Sequence, residues 1–330
     1  MDNILLKVID LRTYFKTAEG VIRAVEGINF QVKRGKVLGL VGESGCGKSV
    51  TALSIMGLIP RSSLEVFSGQ AIYKDINLIG LTDAEMQKIR GRRISMIFQD
   101  PSTSLNPVFT VGDQIAEVLR LHLKMGRREA RERTIDLLKK VGIPSPEKRY
   151  AEYPHQLSGG MRQRVMIAMA ISCDPDLILA DEPTTALDVT LQAQILSLLH
   201  DLRERLGMSM VLISHDLGVI AQLADEVAVM YSGRIVEYTS TLDLLSKPLH
   251  PYTQGLLNSL PRFTRSAERA TRLTAIPGTV PHLLSPPSGC KFHPRCELVE
   301  EICRRDEPPL EEKAVHHGVR CWRVEKGATH

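Results

Sequence analysis

Residues 42–49, with the sequence GESGCGKS, have the residue types and spacing of a loop that binds phosphate. Glycines let the backbone wrap closely around a phosphate with its N–H groups pointing inward, and the following helix N-terminus adds partial positive charge. In this pattern Lys48 would contact the β- and γ-phosphates of a nucleotide, and the Ser49 hydroxyl would bind Mg²⁺. A glycine-rich turn that matches by chance is the alternative. It is disfavoured because an apolar strand precedes the loop and a helix follows it.

Two adjacent carboxylates end another apolar run, residues 177–180. We expect Asp181 at a sheet edge near Mg²⁺, and Glu182 where it can orient and polarise an attacking water molecule. An acidic pair in this position is usually a solvated strand end. Together with the phosphate-binding loop, however, the pair indicates hydrolysis of a nucleoside triphosphate.

The sequence LSGGM at residues 157–161, followed by RQR and an apolar helix, narrows the class of protein. Ser158 and Gly160 would lie at a helix N-terminus, which is a second anion site. An N-capped helix after a turn is the alternative. The motif, placed between the two nucleotide motifs, resembles the signature of ABC ATPases. That resemblance implies that two ATPase domains sandwich ATP head to tail, so that Ser158 and Gly160 complete the partner's site.

Further positions carry the same resemblance. Gln99 resembles the Q-loop residue that senses Mg²⁺ and water, and His215 resembles the switch histidine that contacts the γ-phosphate. Residues 186–188 (ALD) resemble the D-loop that crosses the dimer interface, although Asp188 is also suited to cap the next helix. An aromatic residue near the N-terminus should stack on adenine. Alignment favours Phe15 over Tyr14, and core packing of either is the alternative.

The resemblance therefore implies a complete set of site residues. The nucleotide-binding residues are Phe15, Gly42, Ser44, Gly45, Cys46, Gly47, Lys48, Ser49, Ser158, Gly159, Gly160, Asp181 and Asp188. The catalytic residues are Gln99, Glu182 and His215, and the Mg²⁺ ligands are Ser49, Gln99 and Asp181.

Several longer motifs resemble the dipeptide/oligopeptide importer branch of the ABC family. They are IFQDP with SLNP (residues 97–107), YPHQ (153–156), TTALDVT (184–190), HPYT (250–253) and FHPRC (292–296). The branch also includes nickel and glutathione importers, so the substrate stays open. The resemblance implies a heterodimer with a second homologous ATPase subunit, two transmembrane permease subunits and an extracytoplasmic substrate-binding protein.

Four of the six cysteines fall near the C-terminus, as Cys290-x5-Cys296-x6-Cys303-x17-Cys321. Four thiols suffice for Cys₄ ligation, but structural zinc usually uses pairs spaced more closely than these. Iron–sulfur clusters accept more varied spacing, and some members of the importer branch resemble this pattern and carry a 4Fe–4S cluster. We expect the cluster, with zinc and four uncommitted thiols as alternatives.

Composition fits a peripheral subunit. The 330 residues are 43% hydrophobic and 24% charged, with a formal net charge of +4, which argues against a protein that coats nucleic acid. No apolar run approaches the roughly 18 to 20 residues that span a bilayer, and the N-terminus lacks the pattern of a signal peptide. We therefore expect the chain at the cytoplasmic face of the inner membrane, attached through other subunits.

The element pattern predicts an α/β fold. Apolar runs at residues 37–41, 94–98, 177–180, 210–213 and 227–231 predict strands of a largely parallel sheet. The resemblance implies an ABC-type P-loop NTPase with a RecA-like core, an N-terminal antiparallel β subdomain and an inserted helical subdomain near residues 100–155. This ATPase domain would span residues 1–240, and residues 241–330 would form a small, loop-rich C-terminal region.

Other functions are less consistent with the sequence. Soluble ABC ATPases of DNA repair carry a long coiled coil, and those of translation carry two ATPase domains in one chain; neither feature is present. An exporter subunit is disfavoured by the C-terminal motifs and by the absence of a fused membrane domain. Glu182 and His215 disfavour a partner that does not hydrolyse ATP.

Overall fold

A computed structural model of the chain describes residues 3–185, 187–259 and 276–325. Ala186 of the predicted D-loop lies outside the described residues, as do residues 260–275 and 326–330 of the predicted C-terminal region. Within the described ranges, no helix is both long enough and apolar enough to cross a bilayer. The chain divides into two compact units: the first is Met1–Leu5, Val32–Val37 and Gly80–Ile213, and the second is Leu6–Gln31, Leu38–Ile79 and Ser214–His330.

The strands are β1 (Ile4–Thr17), β2 (Gly20–Lys33), β3 (Val37–Val41), β4 (Leu64–Tyr73), β5 (Ile76–Asn77), β6 (Ile94–Ile97), β7 (Leu177–Asp181), β8 (Ser209–Ser214), β9 (Glu226–Tyr231), β10 (Arg234–Ser240), β11 (Glu311–Ala314) and β12 (His317–Val319). The α-helices are α1 (Lys48–Ile55), α2 (Asp83–Gln87), α3 (Pro101–Ser104), α4 (Val111–Leu123), α5 (Arg127–Lys140), α6 (Pro146–Tyr150), α7 (Gly159–Ile171), α8 (Val189–Leu206), α9 (Leu217–Leu223), α10 (Thr241–Ser246), α11 (Pro251–Asn258) and α12 (Glu301–Arg305). Short 3₁₀ turns occupy Arg61–Ser63, Pro154–Gln156 and His293–Arg295.

The first unit contains a parallel arrangement of β6, β7 and β8. All residues of these strands are buried, which is why their sequences are continuous apolar runs rather than alternating ones. The strand predicted at residues 94–98 ends one residue earlier, at Ile97, and Phe98 is 37% exposed. The residues predicted to be catalytic lie just beyond the carboxyl ends of these strands.

Helices α3 to α7 follow β6 and precede β7 along the chain, and they include the predicted helical insertion. Helix α4 begins after Thr110, whose side chain accepts the Asp113 N–H, and ends at Lys124 with a left-handed φ of 59°. Helix α8 begins after Asp188 and ends at Gly207, also left-handed. Local capping residues therefore set the ends of these helices.

The second unit contains an antiparallel sheet of strand order β2-β1-β4-β5, which is the predicted N-terminal β subdomain. In a second sheet, β3 pairs with β9 in parallel, and β9 pairs with β10 as an antiparallel hairpin. Ser232 and Gly233 both have positive φ, at 45° and 79°, as a tight hairpin turn requires.

The C-terminal part of the second unit continues this sheet through β12 and β11. The buried Glu237 carboxylate of β10 accepts the backbone N–H groups of Leu249 and His250, and it lies 2.7 Å from His317 Nε2. The Glu237 carboxylate thus links the segments after β10 to the sheet. The predicted domain boundary at residue 240 stays a prediction.

Candidate active site

The phosphate-binding loop predicted at residues 42–49 lies between β3 and α1 in the second unit. Gly45 and Gly47 adopt left-handed φ angles of 80° and 107°, which glycine tolerates best. A Cβ at Gly47 would lie 2.1 Å from the Ala24 carbonyl oxygen, and one at Gly42 would lie 2.1 Å from a carbonyl oxygen of β9. The close backbone approach therefore requires glycine at these positions.

Lys48 is the first residue of α1 and is 4% exposed. Its Nζ donates hydrogen bonds to the carbonyl oxygens of Gly42 at 2.8 Å and Glu43 at 3.0 Å. Helix α1 follows Gly47 without a side-chain cap and without an acidic residue in its first turn, which includes Ser49. This end of the helix therefore offers an ammonium group and positive backbone charge, which suits a phosphate ligand.

Cys46 lies inside the loop rather than on its ligand-binding surface. Its side chain is fully buried, and this burial raises the pKa of the thiol, so that the neutral form persists at physiological pH. Ser44 and Gly45, by contrast, are exposed at the tip of the loop. Cys46 thus acts as a small apolar side chain beneath the loop.

We expect Gly47→Ala to lower the free energy of unfolding by about 2 kcal/mol or more, because alanine adds both a strained φ and a backbone clash. The matched control is Gly126→Ala, since Gly126 has a negative φ and its Cβ would meet nothing within 4 Å. Thermal unfolding of the two variants checks the prediction. Equal unfolding midpoints would contradict the steric requirement at Gly47.

In the first unit, Asp181 ends β7 and Glu182 follows it, both with buried side chains. Gln99 Nε2 donates a hydrogen bond to Glu182 Oε2 at 3.1 Å, and Thr185 Oγ1 donates to the same oxygen at 2.7 Å. The Glu182 N–H donates to the Ile213 carbonyl oxygen at 3.0 Å. The carboxylate is therefore held in one orientation, as a general base requires. The sequence predicted Glu182 and Gln99 but did not predict the contribution of Thr185.

The signature residues lie at the start of α7 in the same unit. Ser158 is the N-cap, and its exposed side chain accepts the Met161 N–H at 3.3 Å. Gly159 is exposed and a Cβ there would meet nothing within 4 Å, whereas a Cβ at Gly160 would lie 2.5 Å from a Leu191 methyl carbon. The first turn of the helix is therefore open to an external ligand on one side and closely packed on the other.

A further contact joins the signature helix to the catalytic loop. The buried Gln163 Nε2 donates a hydrogen bond to the Pro183 carbonyl oxygen at 2.7 Å, and Pro183 follows Glu182 directly. The sequence alone did not indicate this link, because Gln163 stands between Arg162 and Arg164, and nothing in that polar stretch marks the glutamine as buried.

The remaining predicted residues lie at the start of α8, directly after β8 and on β1. Asp188 caps α8 by accepting the Leu191 N–H at 2.9 Å, and its predicted interface role stays a prediction. His215 is exposed directly after β8. Phe15 is half-buried on β1, and the neighbouring Tyr14 ring lies 5.7 Å from the Arg23 guanidinium carbon.

The predicted iron–sulfur cluster is wrong. In the part of the chain that the structure describes, no group of three or more His, Cys, Asp or Glu side chains is placed to hold a metal ion, and zinc has no support for the same reason. Cys290, Cys296, Cys303 and Cys321 are free thiols. Burial raises the pKa of Cys290 to about 11 and also raises those of Cys296 and Cys321.

Residues 25–185 match the ABC transporter family, and residues 236–303 match the family described as oligopeptide/dipeptide transporter, C-terminal region. A probable peptide ABC transporter ATP-binding protein of Sinorhizobium fredii is 52% identical, over 97% of this chain and 95% of the relative. The dipeptide transport ATP-binding protein DppD of Bacillus subtilis is 49% identical, over 99% and 96%.

The fold has solved counterparts. The ATP-binding cassette MJ0796, solved as a dimer in a post-hydrolysis state with ADP and Pi, is 29% identical with a TM-score of 0.64. The match covers 72% of this chain and 98% of that one. These matches and the loop geometry define an ATPase of the ABC type. The chain belongs to the ATP-binding subunits of the dipeptide/oligopeptide ABC transporter family.

Members of this class bind ATP and Mg²⁺, hydrolyse ATP to power transport and work as dimers with membrane permeases. For ATP, the glycine-lined loop and the uncapped start of α1 fit the phosphates. The side chains of Ser49, Asp181 and Gln99 carry oxygen atoms of the kind that Mg²⁺ prefers, and their role as its ligands stays a prediction.

Proposed function

We propose that this chain is the ATP-hydrolysing subunit that drives import of dipeptides or oligopeptides through a multisubunit ABC transporter. The observation that carries the substrate class is the match of residues 236–303 to the oligopeptide/dipeptide transporter C-terminal region. The names of the relatives, which specify peptide and dipeptide transport, support it. The predicted boundaries, an ATPase domain at 1–240 and a C-terminal region at 241–330, belong to the same proposal.

The second unit would bind the nucleotide. In this proposal Phe15 stacks on adenine, and the backbone from Gly42 to Gly47 surrounds the phosphates. Lys48 neutralises charge on the β- and γ-phosphates as a compact cation. Ser49 binds Mg²⁺, which when bound neutralises charge on the phosphate oxygens. The placement of Lys48 Nζ against the loop carbonyl oxygens supports the role of Lys48.

The first unit would carry out hydrolysis. Glu182 accepts a proton from the attacking water as the new bond to the γ-phosphorus forms, and the bond between that phosphorus and the leaving ADP oxygen breaks. Gln99 and Thr185 keep the carboxylate aimed, because both donate to Oε2. Besides Ser49, the proposed Mg²⁺ ligands are Asp181, at the end of β7, and Gln99. His215 is the residue proposed to contact the γ-phosphate.

The transport cycle requires a partner. Ser158, Gly159 and Gly160 would complete the ATP site of a second, homologous ATPase subunit, and Asp188 would lie at the interface. Binding of two ATP molecules closes this heterodimer, and closure acts on two membrane permeases through the Gln99 region and the inserted helices. Hydrolysis reopens it. An extracytoplasmic protein delivers the substrate, the ATPase lies at the cytoplasmic membrane face, and nucleic acid takes no part.

Uptake into vesicles tests the substrate class. The complex, purified with its native partners and binding protein, is offered labelled short peptides, glutathione and nickel in parallel. We expect ATP-dependent uptake of peptide. Uptake of nickel or glutathione alone would contradict the substrate class but leave the ATPase mechanism intact. A protein that does not sediment with membranes would favour a soluble ABC ATPase instead.

A further inference from the structure

The C-terminal region contacts the phosphate-binding loop directly, through an ion pair inside the second unit. Arg295 Nη1 lies 2.7 Å from Glu43 Oε2, and Arg295 Nη2 lies 3.0 Å from Glu43 Oε1. Such a two-bond contact between guanidinium and carboxylate fixes orientation as well as distance. The Arg295 side chain is 4% exposed, so solvent screens this pair less than a surface pair. Glu43 is the second residue of the loop, a position that the phosphate-binding pattern leaves unspecified.

The Arg295 guanidinium is itself held in place. Its Nε donates a hydrogen bond to the Pro277 carbonyl oxygen at 2.9 Å. The guanidinium carbon lies 5.8 Å from the ring centre of Tyr231 and 6.0 Å from that of Phe292. These contacts hold the guanidinium independently of Glu43, so Arg295 can restrain the loop.

A second contact restrains the backbone of the same loop residue. The Glu43 N–H donates a hydrogen bond to the Tyr252 hydroxyl at 2.9 Å. The Tyr252 ring is fully buried and packs edge-on against Tyr231, with ring centres 4.7 Å apart. His250 Nδ1 in turn accepts the Tyr252 N–H at 3.0 Å. The C-terminal region thus holds both the side chain and the backbone of Glu43.

The restraint on Glu43 also affects Lys48, the residue proposed to bind the phosphates. The carbonyl oxygen of Glu43 accepts a hydrogen bond from Lys48 Nζ at 3.0 Å. We propose that Arg295 and Tyr252 are positioning residues that hold Glu43 so that the loop and Lys48 are preorganised for ATP, making the C-terminal region a determinant of nucleotide affinity. The inference rests on the proposed role of Lys48 in binding the phosphates.

Equilibrium binding of ATP to the purified full-length chain tests the inference, read out by displacement of a fluorescent ATP analogue. We expect Arg295→Gln and Tyr252→Phe each to raise the Kd for ATP about fivefold or more, a typical size for coupling between two sites. Tyr252→Phe keeps the packed ring and removes only the hydroxyl, so it separates positioning from folding. Arg295→Lys keeps the charge but not the two-bond geometry, and it should give an intermediate Kd.

The matched control is Arg323→Gln. Arg323 lies in the same C-terminal region, and its partner is the half-exposed Glu300, at 2.9 Å. This variant should bind ATP as tightly as the wild type. A Glu43→Gln/Arg295→Gln double variant should bind no more weakly than the weaker single variant, because both changes break one interaction.

The outcomes separate this inference from the proposed function. If Tyr252→Phe and Arg295→Gln bind ATP within twofold of the wild type at unchanged thermal midpoints, while Lys48→Ala binds poorly, positioning by the C-terminal region is refuted and the ATP site stands. If Lys48→Ala binds ATP like the wild type, the site assignment itself fails. If Arg295→Gln does not fold, Tyr252→Phe decides the matter alone.

Discussion

Replacing Glu182 with glutamine is expected to lower the rate of ATP hydrolysis at this site about 100-fold or more, the range that a general base contributes. Glutamine has nearly the same shape and still offers a carbonyl oxygen to Gln99 and Thr185, so the loop should keep its geometry. It cannot take the proton of the attacking water. The variant should therefore bind ATP and accumulate the closed, ATP-bound dimer.

The measurement uses a complex whose partner ATP site is already inactive, so that only this site contributes turnover. Glu65→Gln serves as the matched control, because Glu65 is an exposed carboxylate on β4. The control should hydrolyse ATP at the wild-type rate. Undiminished hydrolysis by Glu182→Gln in this background would refute the role of Glu182 as the general base.

Lys48→Ala should abolish detectable ATP binding and, with it, ATP-driven uptake. The substitution removes the ammonium that faces the loop and leaves the carbonyl oxygens of Gly42 and Glu43 without its hydrogen bonds. The proposed contacts of this ammonium with the β- and γ-phosphates are hydrogen bonds between charged groups, worth about 1.5–3 kcal/mol each, so the loss of more than one of them weakens the affinity for ATP by orders of magnitude. Displacement of a fluorescent ATP analogue measures the binding, and vesicle uptake measures the transport.

Lys7→Ala is the control for Lys48→Ala, because Lys7 is an exposed lysine on β1. It should leave the ATP affinity and the uptake rate unchanged. A Lys48→Ala protein that still binds ATP with wild-type affinity would place the nucleotide elsewhere in the chain.

The sequence predicted local features of the fold well, because local patterns determine them. Buried parallel strands such as β7 and β8 are continuous apolar runs, so their positions follow from composition alone. The start of α8 follows from the capping ability of Asp188. The glycines of the phosphate-binding loop similarly signal backbone geometry that other residues cannot adopt.

Contacts between distant side chains were not predictable in this way. Glu43 and Arg295 are separated by 252 positions in the sequence, and no pattern around either residue specifies the other. The hydrogen bond from Gln163 to the Pro183 carbonyl oxygen was missed for the same reason. Motifs predicted which residues do chemistry, but tertiary packing determines which residues orient them.

The metal cluster predicted at the four C-terminal cysteines was wrong. Their number matched the ligand count of a cluster, but ligand count and spacing do not determine how the side chains are placed. In the described residues, no group of three or more His, Cys, Asp or Glu side chains is placed to hold a metal ion. In the structure, burial raises the pKa of Cys290, Cys296 and Cys321. The Cys290 N–H donates a backbone hydrogen bond to the Cys303 carbonyl oxygen at 2.9 Å.

Peptide-stimulated ATP hydrolysis by the complete complex in vesicles tests the central claim most directly. The account predicts that adding a short peptide with its binding protein raises the hydrolysis rate and that this stimulated rate disappears in Glu182→Gln. Hydrolysis that is indifferent to peptide and binding protein, or stimulation that survives the substitution, would contradict the assignment of this chain as the motor of a peptide importer.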